Sequence, residues 1–276
     1  NIIWKSRLPQ ALTALVAGAG LSISGLQMQT VFRNPLAGPS VLGISSGASM
    51  GVAFVVLLSG SLGGVALSKL GFMGEIALSI AAVIGSLSVM ALIVYVSQKV
   101  KGNVTLLIIG VMIGYVANAV IGVLKFFSVE EDIRAYVIWG LGSFARVSGN
   151  QMTLFVILMT VLIPLSFLLI KTMNLMLLGD SYARNLGLNI KRARLLVITS
   201  AGVLTAIVTA YCGPIIFLGL AVPHLCRAIF QTSDHRILMP AVLFAGAALA
   251  LICNLIARMP GFEGALPVNS VTALVG

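Results

Sequence analysis

KTMNLMLLGDSYARNLGLNIKRAR, residues Lys171 to Arg194, is the one long polar break between two otherwise membrane-like halves of a 276-residue chain. It holds five of the seventeen Lys and Arg residues, too many for a membrane span. Within it, Met176 to Leu188 reads as a short helix. Leu177, Leu178, Tyr182, Leu186 and Leu188 recur near one side, and Gly187 stands in position to stop the helix. Such a helix is too short and too polar to cross a bilayer. It lies at the membrane surface, as a plain connector or as a lever that another protein pushes.

On either side of this break the composition is that of an integral membrane protein: 59% of residues are hydrophobic and only 9% charged. A hydrocarbon core of ~30 Å needs ~20 apolar residues per helix. The sequence supplies such runs repeatedly, without the period-2 alternation of a membrane barrel. The expected fold is an all-α polytopic bundle. Spans are expected at 11–32, 41–58, 76–96, 104–127, 152–170, 195–211, 215–230 and 239–257, with a partial one from Leu266. Asn1 is not a methionine and the last apolar run stops at Gly276. Eight whole spans and a fragment are therefore expected to belong to an intact chain of about ten. Residues 1–276 read as one transmembrane domain carrying an outer loop at 128–150 and the polar loop at 171–194.

A net charge of +10 would suggest a nucleic-acid partner in a soluble protein. Here the basic residues sit in short loops, so membrane lipid is the expected partner and nucleic acid is not. The connections at 33–40, 97–103, 171–194 and 227–238 carry ten Lys or Arg, and the opposite side carries seven. Glu75, Glu130, Glu131, Asp132 and Glu263 reverse the bias, against Asp180 and Asp234. The positive-inside rule then puts Lys99, Lys101 and Arg184 in the cytoplasm and Glu130 and Glu263 outside.

Small residues at one-turn spacing, Ala14, Gly18 and Ser22 in one span and Gly110 and Gly114 in another, let backbones approach closely. Tyr136, Trp139 and Phe144 in the outer loop suit a short helix at headgroup level. Cys212, Cys226 and Cys253 are far apart and read as small buried hydrophobes. Gly43-Ile44-Ser45-Ser46-Gly47 matches G-x-S-x-G, but a nucleophile elbow needs a strand before it, and here a membrane helix begins. His224 and His235 have no metal-ligand spacing, and hydrogen-bonded structural roles are expected. The span centres hold no charged residue, which argues against ion-coupled secondary transport, the main alternative reading. No G-x-x-x-x-G-K-[ST] loop is present. Uphill movement of a solute would have to draw its energy from another chain.

Arg7-Leu8-Pro9, GLQMQTVFRNPLAGPSVLGISSGA (Gly25 to Ala48), MNLMLLGDSYARNLGL (Met173 to Leu188), GPIIFLGLAVPHLCR (Gly213 to Arg227) and DHRILMP (Asp234 to Pro240) together resemble one family. These are the FecCD permeases, membrane subunits of bacterial ABC importers for iron-siderophores, haem and cobalamin. The resemblance implies a multi-pass inner-membrane permease of the type II importer kind, acting as a homodimer by alternating access. It implies no cofactor on this chain, with ATP and Mg on a partner ATPase pair, and a periplasmic or lipoprotein binding protein that delivers substrate. It carries ATPase coupling to Leu177, Leu178, Gly179, Ala183, Leu186 and Gly187, binding-protein docking to Arg7 and Arg258, and the cytoplasmic gate to Asn103 and Val104. Gln10 falls where some members have a second arginine, and Val104 is less polar than the family's gate residues. Lys191, Arg192 and Arg194 are placed to hold the far end of the coupling loop at the anionic membrane surface.

Overall fold

A computed structural model describes residues 3–61, 72–100, 102–147, 149–258 and 266–275. After a π-helical turn at Ile3–Arg7 come α1 (Leu8–Phe32), α2 (Ile44–Ser61), α3 (Phe72–Lys99), α4 (Asn103–Phe126), α5 (Glu130–Gly140) and α6 (Gly149–Phe167). The second half holds α7 (Ile170–Leu177), α8 (Asp180–Asn185), α9 (Ile190–Cys212), α10 (Leu218–Phe230), α11 (His235–Ile256) and α12 (Val268–Val275). Among the described residues there is no strand.

The most polar of the long helices lies at the centre. α1 packs against α6, α9, α10 and α11, and Thr13, Ser22, Ser24, Gln27, Gln29 and Thr30 are all buried along it. Buried polar groups in a bilayer must find partners inside the protein. Ser24 Oγ donates to the carbonyl of Ala201 in α9, Gln27 Nε2 to Ser200 Oγ, and Gln29 Nε2 to the carbonyl of Leu220 in α10. Small residues bring the neighbours this close. A Cβ on Gly25 would stand 1.7 Å from the carbonyl oxygen of Gly219, and one on Gly18 would stand 2.3 Å from that of Gly246. Both contacts are backbone against backbone.

By length and composition α1, α3, α4, α9 and α11 can cross a membrane, and α6 with α7 reaches that length only as a pair bent by 45°. The spans expected at 41–58 and 215–230 prove shorter at their starts. A 3-10 turn at Pro39–Leu42 precedes α2, and residues 213–217 are not helical before α10. The turn reaches into the bundle, with Leu42 against Gly110 of α4 and Pro39 against Gly219 of α10. Where α9 was expected at 195 it starts at Ile190, because Asn189 accepts the Arg192 N–H and caps it. Asp234 likewise caps α11 through the Arg236 N–H, earlier than the expected 239.

The two ends of the bundle are chemically distinct. One gathers Arg33, Asn174, Asp180 and Asp234. At the other, the Ser143 N–H donates to the Cys212 carbonyl and Asn269 Nδ2 donates to the carbonyls of Gly140 and Pro214. This partition matches the one deduced from loop charges. Lys101 and Glu263 lie outside the described residues.

α5 forms with Glu130, Glu131 and Asp132 in its first turn, where the helix dipole favours acids. The headgroup-level role expected for the aromatics of the 128–150 loop is incorrect. Tyr136, Trp139 and Phe144 are 8%, 2% and 1% exposed. α5 folds down on α2, so Tyr136 and Trp139 pack with Ala48, Val52 and Val56 while Phe144 enters the main core. All three cysteines are free and buried, as expected.

Candidate functional site

The polar loop at 171–194 is two helices rather than the single one expected over Met176 to Leu188. α7 ends at Leu177, Gly179 turns the chain at φ +97, and α8 starts at Asp180, an acid in the first turn. Gly187 does stop the second helix. At φ +86 it closes a Schellman motif in which the Leu188 N–H donates to the Ala183 carbonyl and the Gly187 N–H to that of Arg184.

Leu177, Leu178, Tyr182 and Leu186 are 38%, 55%, 72% and 61% exposed, and Gly179 and Gly187 flank them. Large apolar side chains at a polar membrane surface, on a segment held by hydrogen bonds, form a preorganised contact patch. Ala183 does not belong to it. It is fully buried, so within the expected coupling set it seats α8 on the bundle and touches no partner.

Charged and polar groups fix the segment in place. Arg33, in the left-handed conformation just past α1, donates to the Met176 carbonyl at the C-terminus of α7 and pairs with Asp180 at 2.5 Å. Arg194 approaches the other Asp180 oxygen at 3.7 Å. The membrane-surface role expected for Arg194 is therefore incorrect: it is 8% exposed and turned inward. Lys191 and Arg192 remain exposed. A second tie runs through His235, whose backbone N–H donates to Asn174 Oδ1, whose Nδ1 faces the same oxygen at 2.6 Å, and whose Nε2 lies 2.7 Å from Thr30 Oγ1. A neutral ring protonated on Nδ1 donates to Asn174, and its Nε2 competes with the Leu26 carbonyl, 2.8 Å away, for the single proton of the Thr30 hydroxyl. Asn174 Nδ2 in turn donates to Asp234 at 2.6 Å. The structural role expected of the histidines thus holds for His235. His224 departs from it, being exposed in a groove with Leu36, Phe217 and Leu225.

At the opposite end of the bundle Arg7 and Arg258 come together across α1 and α11, lining a cavity of about 360 Å³ with Gln10 and Asn254. Burial lowers the pKa of the Arg258 guanidinium, and the positive charge of Arg7 lowers it further. Among the described residues neither arginine is in an ion pair. Gln10 Nε2 donates to Ser6 Oγ.

Halfway along α4 the sequence reading assigned nothing. Val104, Ile108, Val111 and Tyr115 are exposed on one stripe, which continues to Asn118. Tyr115 and Asn118 line a cavity of about 310 Å³ with Ser40, Gly43 and Gly110. Val104, expected at the gate, is 69% exposed at the start of this stripe. Asn103 opens the helix, and its side chain lies outside the described residues. A signal was present in the sequence: Asn118 is a polar residue inside an apolar span.

A multi-span helical bundle with an exposed apolar patch on α7 and α8, two arginines together at its other end and an exposed stripe on α4 that reaches Tyr115 and Asn118 has the surfaces of a membrane permease subunit. The chain belongs to the FecCD transport family, whose model matches residues 1–276. It is 35% identical over 274 residues to the vitamin B12 import system permease protein BtuC of Klebsiella pneumoniae, covering 99% of this chain and 79% of the relative. It is 36% identical over 278 residues to the BtuC of Citrobacter koseri, covering 99% and 80%. Among solved structures it resembles an inward-facing metal-chelate type ABC transporter, with TM-score 0.88 and 30% identity over 100% of this chain and 84% of that one. The protein is a multi-pass permease subunit of a bacterial inner-membrane ABC importer. The ATPase and the binding protein are separate partners.

Proposed function

We propose that two copies of this chain form the membrane path for an iron chelate or cobalamin, moved by alternating access under a partner ATPase pair. The observation that carries the reading is the α4 stripe. Tyr115 and Asn118 are exposed near mid-span beside the Ser40 turn. Polar side chains at that depth belong against a cavity or another protein surface, not against lipid. A second copy facing the same stripe encloses a path that Val104 narrows at its cytoplasmic end. The exposed apolar patch of α7 and α8 receives the ATPase, and Arg7 with Arg258 receives carboxylates of the binding protein. The path is short of fixed charge, which suits a large cargo handed over by a separate protein.

Val104→Cys tests this in proteoliposomes containing the ATPase pair and loaded binding protein, with radiolabelled cobalamin and a ferric chelate as cargoes. Oxidation is expected to link the two copies and stop ATP-driven uptake, and reductant to restore it. The native cysteines are buried. Uptake that continues at full rate in the linked dimer, or that follows an ion gradient without ATP, would overturn the reading.

A further inference from the structure

Asp180 is held unevenly by its two arginines. Arg33, with 42% of its side chain exposed, pairs with one carboxylate oxygen at 2.5 Å, while Arg194, with only 10% exposed, stands 3.7 Å from the other. Arg194 Nε is buried and, among the described residues, has no hydrogen-bond partner. Electrostatics alone would order the two the other way. A guanidinium facing water loses little when its partner moves off, whereas a buried one left short of acceptors carries its desolvation cost uncompensated. The closer contact belongs to the arginine that needs it less.

The carboxylate is also placed to move. α8 is six residues long and lies between Gly179 at φ +97 and Gly187 at φ +86. A Cβ added at either glycine would meet nothing within 4 Å, so close packing does not lock these turns. Less than ~1 Å of movement would bring Asp180 Oδ2 from 3.7 Å to the ~2.8 Å of a charge-assisted hydrogen bond with Arg194. Arg33 would not be stranded, since it also donates to the Met176 carbonyl and faces solvent. The two arginines stand on different helices, Arg33 just past α1 and Arg194 near the start of α9. Whichever of them holds Asp180 therefore ties α8 to a different part of the bundle.

We propose that Arg33 and Arg194 are positioning residues for ATP coupling that take Asp180 in turn, Arg33 in the state described here and Arg194 once the ATPase has engaged α8 with ATP. This rests on the reading that the exposed patch of α7 and α8 receives the ATPase. The exchange offsets part of the work of moving α8, because the buried guanidinium gains an acceptor while the exposed one turns to water.

ATP hydrolysis by the complete importer in proteoliposomes, with the ATPase pair and binding protein present, tests this. Arg194→Gln removes the second holder and is expected to raise the KM for ATP, and Arg33→Gln removes the first and is expected to lower it, each by about threefold, the size that partly exposed ion pairs carry. Arg194→Lys, which keeps the charge, is expected to recover most of the wild-type value. In an Asp180→Asn background both glutamine substitutions are expected to lose their effect. An ion pair that only holds the segment together would instead shift KM the same way in both variants. Arg33 lies at the surface, so Arg33→Gln reports even where Arg194→Gln fails to purify as a monodisperse protein. Shifts of one sign, or an unchanged KM in Arg33→Gln, would overturn the exchange. Leu186→Asp in the same assay separates this from the reading beneath it. If Leu186→Asp loses stimulated hydrolysis while KM is unmoved in the arginine variants, the exchange alone is wrong; if Leu186→Asp is stimulated normally, the coupling segment and the exchange fall together.

Discussion

Asp234 serves two structures at once. Its carboxylate caps α11 through the Arg236 N–H and accepts the Asn174 side chain from α7. The backbone hydrogen bond and the Asn174 hydrogen bond hold its pKa below the ordinary carboxylate value. A carboxylate depressed on folding stabilises the native state fully above its unfolded pKa. That stabilisation is lost as pH falls through the folded value. The unfolding midpoint of the detergent-purified protein is therefore expected to decline below the ordinary carboxylate range, with a shallower slope in Asp234→Asn. Calorimetry against pH checks this, and identical slopes would remove Asp234 from the tie. Asp180, with two arginines, supports the same segment from the other side. Its pairs are partly exposed, and each is worth ~0–1 kcal/mol.

Among elements, α8 carries the sharpest expectation. Leu186→Asp leaves the Gly187 turn, the Ala183 seat and the Asp180 pairs intact while putting a charge into the exposed apolar patch. It is expected to insert and express normally and to lose about tenfold or more of ATP-driven uptake, with the ATPase either unretained or unstimulated. Co-purification and stimulated hydrolysis read the two cases apart, and normal uptake would make the segment a connector only. The stop at Gly187 and the exposed leucines were legible because each is a local signal. The break at Gly179 was hidden by a leucine pattern that runs unbroken across it. Asn189 and Asp234 were readable caps, passed over because the basic residues beyond them look like loop. The burial of Trp139 and the depth of the Pro39–Leu42 turn had no local signal, since what covers them comes from distant parts of the chain. The partners of Ser24, Gln29 and Thr30 lie 177 to 205 residues away.

At the scale of the whole molecule, charge sorts the two faces. The outer arginines are brought together by the antiparallel packing of α1 and α11, which places Arg7 beside Arg258. Charge pairs at a docking rim act mainly on association. Arg7→Glu with Arg258→Glu is expected to slow capture of loaded binding protein about tenfold at low salt, with a smaller effect above physiological ionic strength. Surface plasmon resonance on nanodisc-held protein measures it, and equal on-rates at both salts would remove the docking role. The sequence runs that carried the family resemblance meet in space: Gly25 touches Gly219, Thr30 reaches His235 and Arg33 reaches Asp180.

The backbone contacts of α1 have a mechanical side as well. Where Gly25 meets Gly219 and Gly18 meets Gly246 the backbones touch, and the side chains beside the second crossing, Ser22 and Ala250, are small. Such a joint is stiff: it transmits displacement and cannot slide without breaking. α1, α10 and α11 thus behave as a single strut, held at one foot by Arg33, Gln29 and His235. Compliance has to lie elsewhere, at the α6–α7 bend and along the exposed flank of α4. A push on α8 would therefore tilt the strut as one piece, and the stroke seen at the path would depend on the length of that lever rather than on any change of fold within it.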